Sequence, residues 1–281
     1  MVVMRTYPEC FQCMMRQALE ACRLAGADEE TTWRAMVEAA RALTGLRRDW
    51  TPLENSCKVH GAVNAVLGTD DPYKEVKERA NAEARTLLEL ARRDIESSDD
   101  RLREAIIVSV AGNAADYGPA SRMSLPEALR FVKEKGFAVD HYRELKEALE
   151  EAERVAVLGD NAGEIVLDIP LLEQLSDREL HYFVKERPLI NDATVLEAEG
   201  VGIGDYATIE AVPFLDGIIA LRSPYFLEKL KGFDVVIAKG QGNFETLSDV
   251  GLGIFFAFLA KCEVVARYLG VEPWSPMLVR M

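Results

Sequence analysis

The chain has 281 residues, 49% of them hydrophobic and 28% charged, with a formal net charge of −14. That length and mix suit a globular protein of one large domain or two with a well-buried core, and the charge works against nucleic acid or an anionic membrane as a partner. No apolar run reaches the roughly 18 residues of a membrane span, the start MVVMRTYPEC lacks the apolar stretch of a signal peptide, and five cysteines, an odd number, point to a reducing, cytoplasmic setting.

Residues 1–100 read as helices throughout. Apolar residues recur at helical spacing over 10–24, which stops at Gly26. Asp28 is placed to cap a helix over 29–43 that Gly45 ends, and Pro52 opens one over 53–67 that Gly68 ends. Asp71-Pro72 starts a long, highly charged helix to about residue 95. Another runs from 101 to 111 and ends at Gly112-Asn113, ahead of an Asp116-Tyr-Gly118 loop. Helices over 125–135 and 141–152 follow.

The period then changes. Apolar runs at 155–158, 180–184, 207–212, 235–238 and 254–259 alternate with helical segments, which predicts a parallel sheet covered on both faces. Pro170 predicts a kink in the segment after Asp160, or a restart with Asp168 as cap. The expected fold class is multidomain, α and α/β. A helical domain occupies 1–100, and a three-layer α/β/α domain with a mainly parallel, Rossmann-like sheet occupies 101–281, the handover falling between 100 and 150.

Three strand ends run into polar turns. Asp160-Asn161 follows 155–158 and Gly159, placing a carboxylate and an amide oxygen at the carboxyl end of a strand, where open α/β sheets bind ligands. Hard oxygens of that kind suit Mg²⁺ or Mn²⁺. Asn191-Asp192 follows 180–185. Lys239-Gly-Gln-Gly-Asn243 follows 235–238, where Gly240 and Gly242 let backbone N–H groups approach an anion and Lys239 adds a positive charge. Each stretch alone also reads as a helix cap or an ordinary strand-to-helix turn. Together they hold more polar groups than capping requires. If the strands are neighbours, Asp160, Asn161 and Asp192 share one cation.

Gly159-Asp-Asn-Ala-Gly-Glu164, Asn191-Asp-Ala-Thr194 and Lys239-Gly-Gln-Gly-Asn-Phe-Glu245, in that order, resemble the metal-dependent damage-control phosphatases, long known as domain-of-unknown-function family eighty-nine. The Gly112-Asn-Ala-Ala-Asp-Tyr-Gly118 segment and Lys261-Cys262 resemble that family too, and Cys10-Phe-Gln-Cys13 is similar to the start of its prokaryotic and archaeal branch. The resemblance implies a helical N-terminal part joined to an α/β/α domain. It implies a divalent metal (Mn, Co, Ni or Mg) on Asp160, Asn161 and Asp192, with Asp160 and Asp192 catalytic. It further implies substrate-binding roles for Asn113, Asp116, Glu164, Lys239, Gln241, Gly242 and Asn243, and hydrolysis of small phosphorylated metabolites such as sugar phosphates. The Arg-Thr-x-Lys motif of the eukaryotic branch is absent, so the substrate range of that branch is not implied.

Such chemistry rests on neutralising and positioning a phosphate dianion. Water oriented by Asp160 or Asp192 is the expected attacking group, and a covalent aspartyl-phosphate is the other route. Two further readings stand beside the phosphatase. Residues 155–164 superficially resemble the first turn of S-adenosylmethionine methyltransferases, although the Gly-x-Gly pairing is missing. A metabolite-binding protein without turnover would use the same groups. Cys10/Cys13 and Cys57/His60 are i,i+3 pairs, each on one helix face, and four such ligands would make a structural Zn²⁺ site; buried free cysteine is the plainer reading. Specificity is expected from 113–122 and 215–226.

Overall fold

The structure, a computed structural model, describes residues 4–114 and 123–281. Helices α1 (Pro8–Leu24), α2 (Glu29–Thr44) and α3 (Pro52–Leu67) come first. Asp28 accepts a hydrogen bond from the Thr31 amide at 2.8 Å and caps α2. Thr51 and Glu54 form a capping box on α3, which Gly68 ends in the left-handed region. The three helices share a core of mainly small side chains, among them Ala18, Cys22, Ala35, Ala39, Val59 and Val63.

Next come α4 (Lys74–Glu96), α5 (Arg101–Ala114), α6 (Leu125–Lys135), the short strand β1 (Val139–Asp140) and α7 (Tyr142–Glu151). Strands and helices then alternate: β2 (Arg154–Leu158), α8 (Glu164–Gln174), β3 (Glu179–Lys185), α9 (Val195–Val201) and β4 (Thr208–Val212). A hairpin of β5 (Phe214–Leu215) and β6 (Ile218–Ile219) leads to α10 (Pro224–Leu230), β7 (Val235–Lys239), α11 (Gly240–Leu247), β8 (Phe255–Ala260), α12 (Glu263–Leu269) and β9 (Ser275–Arg280).

Seven strands form one sheet in the order β1-β9-β8-β7-β2-β3-β4, parallel throughout except for β8–β9. Alternation along β2 sends Val155 and Val157 into a core shared with α4–α9, and Ala156 and Leu158 into one shared with α3 and α10–α12. The expected α/β/α layers are therefore present, and α4 and α5 belong to one of them. β1, β9 and the hairpin lie outside the strand pattern read from sequence. Two-residue strands carry too few positions for a period, and Pro276 masks β9, where it is tolerated near the strand start. Pro170 neither breaks nor restarts α8, which runs unbroken, and Asp168 is an interior residue of that helix rather than its cap.

From β2 the chain works outward through β3 to β4; on the other side β7 leads to β8. The order reverses between β2 and β7, and the crevice at the carboxyl ends of the strands there is the usual ligand site of such sheets.

Helix α4 fastens the turns at that crevice. Lys77, 1% exposed, pairs with Asp71 at 2.6 Å and Glu197 at 2.7 Å. Glu197 closes a capping box with Thr194 at the start of α9, two residues past Asp192. One turn along α4, Asn81 Oδ1 accepts a 2.6 Å hydrogen bond from the Gly163 amide, just before α8. Replacing Lys77 with Met leaves two carboxylates without their cation and is expected to lower unfolding free energy by about 3–5 kcal/mol. Denaturant titration measures this, and a loss below about 1 kcal/mol would show that the tether is dispensable.

Candidate functional site

Strands β2 and β3 pair in register up to Leu158 and Phe183. The pairing continues beyond the strands. The Gly159 amide donates to Phe183 O at 2.8 Å, the Ala193 amide to Asp160 O at 2.8 Å, and the Ala162 amide to Asn191 O at 3.0 Å. The two polar turns are thus zipped side by side, with Asn161 and Asp192 as bridge partners. Asp160, Asn161 and Asp192, far apart in sequence, meet at one place.

Side chains fix the orientation of the first turn. Asn161 Nδ2 donates to Asp160 Oδ2 at 2.8 Å, and Asn113 Nδ2 donates to the same oxygen at 3.1 Å and to Glu164 Oε2 at 2.9 Å. Asn113 Oδ1 in turn accepts from the Leu259 amide at 3.1 Å. Both donors on Asp160 use one oxygen, and Asn161 spends its amide nitrogen, which turns its carbonyl oxygen the other way. Glycine is required at two adjoining points. A Cβ on Gly159 would lie 2.6 Å from the Tyr182 hydroxyl, and one on Gly240, whose φ is 78°, would fall on the Asp160 carboxyl group. The N-terminus of α11 therefore abuts Asp160, with the favourable end of its dipole toward the carboxylate.

The floor is charged and closed to solvent. Lys239 Nζ donates to Glu164 Oε1 at 2.7 Å, Asp168 Oδ1 at 2.9 Å and Ser109 O at 3.3 Å. Asp168 also accepts from Ser109 Oγ and the Tyr182 hydroxyl, each at 2.5 Å. Burial opposes the Lys239 charge, but Asp168 and Glu164 outweigh it and hold the ammonium above its ordinary pKa. Among the described residues, four buried carboxylates (Asp160, Glu164, Asp168, Asp192) lie with two buried lysines, Lys185 and Lys239, and with the half-buried Lys261 at the pocket. Burial pushes the Asp160 carboxyl well above the usual range; Glu164 and Asp192 add to the effect, and Lys185 and Lys261 oppose it.

Above the turns is a pocket of about 260 Å³, walled by α1 and α3 and reached by Lys185, Gln241, Glu245 and Lys261. On the order of nine waters fill that volume, the scale of a small metabolite. A sequence-family profile described as damage-control phosphatase ARMT1-like domain matches residues 6–275. The chain belongs to that family. It is 35% identical to a damage-control phosphatase of Archaeoglobus fulgidus, over 96% of each chain, and 33% identical to one of Pyrococcus horikoshii, over 99% of this chain and 98% of the relative. The crystal structure of a DUF89 family protein from Pyrococcus horikoshii matches it with a TM-score of 0.87 at 30% identity, over 99% of both chains.

Within this family member several sequence expectations need correcting. Lys239 does not enter the pocket; it is the counter-ion of the floor. The pocket cation from the neighbouring strand end is Lys185, whose Nζ donates to Asn243 Oδ1 at 3.2 Å. Sequence reasoning passed over it because a lysine closing a strand looks like a surface residue. Asn243 is fully buried and ties Gly159 O and Lys239 O together through Nδ2. Gly240–Asn243 is not a loop but the first turn of α11, and Gly112 and Asn113 lie inside α5 rather than ending it. At Gly112 a Cβ would come within 3.2 Å of Glu164 Cα, so glycine permits the close α5–α8 crossing that brings Asn113 to Asp160.

Asp116 and most of the 113–122 stretch lie outside the described residues. The 215–226 stretch does not reach the pocket wall; α1 and α3 supply that side instead.

The four-ligand zinc arrangement is not formed. Cys10 and Cys13 face the pocket, whereas Cys57 of α3 belongs to the apolar core beneath that helix, and burial raises its thiol to about 11. His60 is buried with Nε2 unbonded, and burial lowers its pKa to about 4. Among the described residues, no three His, Cys, Asp or Glu side chains gather as a metal group. The Asp160–Asn161–Asp192 set differs from such a group in taking one of its three donors from an amide.

The contact at Gly240 is open to a direct comparison. Gly251 has a similar φ of 71° with nothing within 4 Å of its Cβ position. Gly251→Ala is expected to cost about 1–2 kcal/mol, the conformational part alone. Gly240→Ala should cost clearly more in denaturant titrations, and equal losses would contradict the close approach.

Proposed function

We propose that this protein is a divalent-metal-dependent phosphomonoesterase acting on small phosphorylated metabolites, sugar phosphates or damaged phospho-metabolites. The observation that carries this reading is the meeting of Asp160, Asn161 and Asp192 at the crevice, in a chain whose relatives are named damage-control phosphatases. Asp160, Asp192 and the Asn161 carbonyl oxygen form a hard-oxygen set suited to Mn²⁺, Co²⁺, Ni²⁺ or Mg²⁺. A cation held there would offset the carboxylate charge and polarise a phosphate oxygen.

The chain's own residues supply the rest. Lys185, Lys261 and the first amides of α11, including Gln241 and Gly242, bind the non-bridging phosphate oxygens. Asp192 or Asp160 orients the attacking water and takes its proton. Asn113 holds Asp160 in place through one oxygen and Glu164 through another, and Lys239 keeps Glu164 and Asp168 fixed beneath them. Helices α1 and α3 shield the phosphate from bulk water. The same geometry disfavours the methyltransferase reading, because the Asp160 carboxyl group fills the space against α11 where a nucleotide would need glycine backbone. No helix among the described residues is long and apolar enough to cross a membrane, and all five cysteines are unpaired, in keeping with a cytoplasmic setting.

The test is phosphate release from a panel of sugar phosphates after chelation and re-addition of each metal. Turnover should appear only with metal and fall at least about 100-fold in Asp192→Asn. Release that ignores both chelator and substitution would overturn the proposal, as would metal-dependent ligand binding without any release.

A further inference from the structure

Glu245 belongs to no part of the mechanism above, yet its carboxyl group reaches the pocket. It lies four residues after Gln241 on α11, so the two side chains share one face. Gln241 Nε2 donates to Glu245 Oε1 at 2.7 Å and to Cys262 Sγ at 3.4 Å, while its Oε1 accepts from the Lys261 amide at 2.9 Å. The carboxyl group is therefore clamped by a side chain that is itself anchored to the β8–α12 turn. Among the described residues, the titratable groups that act on it are Cys10 on α1 and Cys262 on that turn, and Glu9, Cys13, Arg16 and Glu20 of α1 and Lys261 line the same pocket. The Cys10 and Cys262 thiols are raised, Cys10 to about 12, chiefly by burial and then with help from Glu245, so they stay neutral and offer it no compensating charge.

We propose that the Glu245 carboxyl group protonates the ester oxygen of the substrate as the phosphorus–oxygen bond breaks. This rests on the phosphatase reading of the site. Helix α11 begins against Asp160, and Glu245 lies five residues further on, about 7.5 Å of helix rise away. Phosphate held between the Asp160–Asp192 turns and the start of α11 therefore directs its ester oxygen and leaving group toward the α1 side, where Glu245 stands. The three histidines of the chain do not reach the pocket, so they are not available for the task.

The step balances without further reactants. Water forms the new phosphorus–oxygen bond and gives up a proton to the carboxylate that orients it. The ester oxygen leaves with the bonding electron pair and takes the Glu245 proton to become an alcohol. Solvent exchange then returns the proton to Glu245.

Burial supports this role by raising the Glu245 pKa to about 7, against the lowering effect of the Gln241 hydrogen bond. The acid is the active form, so turnover of poor leaving groups should decline as pH rises through about 7.

The experiment compares Mn²⁺-loaded wild type and Glu245→Gln on glycerol 3-phosphate, whose alkoxide needs a proton to leave, and on p-nitrophenyl phosphate, whose phenolate does not. Glu245→Gln should lower kcat on the alkyl ester by about 100-fold or more, change the aryl ester by less than about threefold, and erase the alkaline decline near neutrality. Equal partial losses on both esters, or an unchanged pH profile, would overturn the assignment. If the Gln variant loses both activities, Glu245→Asp decides. Alkyl-ester turnover restored by a shorter carboxyl group supports the proposal, and turnover not restored overturns it. Wild type inactive on both esters would overturn the phosphatase reading itself.

Discussion

A cluster of acidic side chains in a closed space is the constraint on which this structure turns. Asp160, Glu164, Asp168 and Asp192 are buried close together, with Lys185 and Lys239 buried among them and Lys261 acting on Asp160 as well. An uncompensated buried carboxylate is costly, and removing one partner of a buried pair commonly costs several kcal/mol. Evolution toward stability alone would favour apolar residues here. On the proposed reading, carboxylates lodged where the sheet reverses direction have a natural complement in one divalent cation and then in the anion that such a cation would attract. On that reading, an acidic protein that repels phosphate at long range would receive it at one point.

The arrangement is built in shells that run back to ordinary features of the chain. Backbone hydrogen bonds continue the β2–β3 pairing past the last strand residues and bring the two acidic turns into contact. Around them Asn113, Asn243 and Lys239 link α5, α11 and the strand ends, while Lys77 and Asn81 reach in from α4. Glycines at 112, 159 and 240 remove the side chains that would keep these elements apart. Helices α1 and α3 then close the pocket from above, with Cys10, Cys13 and Met14 in the wall.

Much of this was legible before the fold was known. Polar pairs directly after apolar runs mark the strand ends, because few other residues occupy such turns, and the two turns that carry Asp160, Asn161 and Asp192 are legible in this way. Side-chain direction was not legible. Lys239 and Lys185 both close strands, and only the packing of α8 and α5 decides that the first points into the floor and the second into the pocket. Glycine was ambiguous too: two of them in four residues looked like a loop, whereas Gly240 starts a helix because of its contact with Asp160. Glu245 was visible as a letter in a motif but not as a pocket residue, since its place depends on α1 and the β8–α12 turn, which approach from opposite ends of the chain.

Titration of Mn²⁺ into chelator-treated protein, followed by calorimetry, tests the charge argument most directly. A single site should appear in the wild type, vanish in Asp160→Asn and in Asp192→Asn, and persist in Glu245→Gln. Binding that survives removal of both aspartates, or no binding by the wild type, would contradict the account.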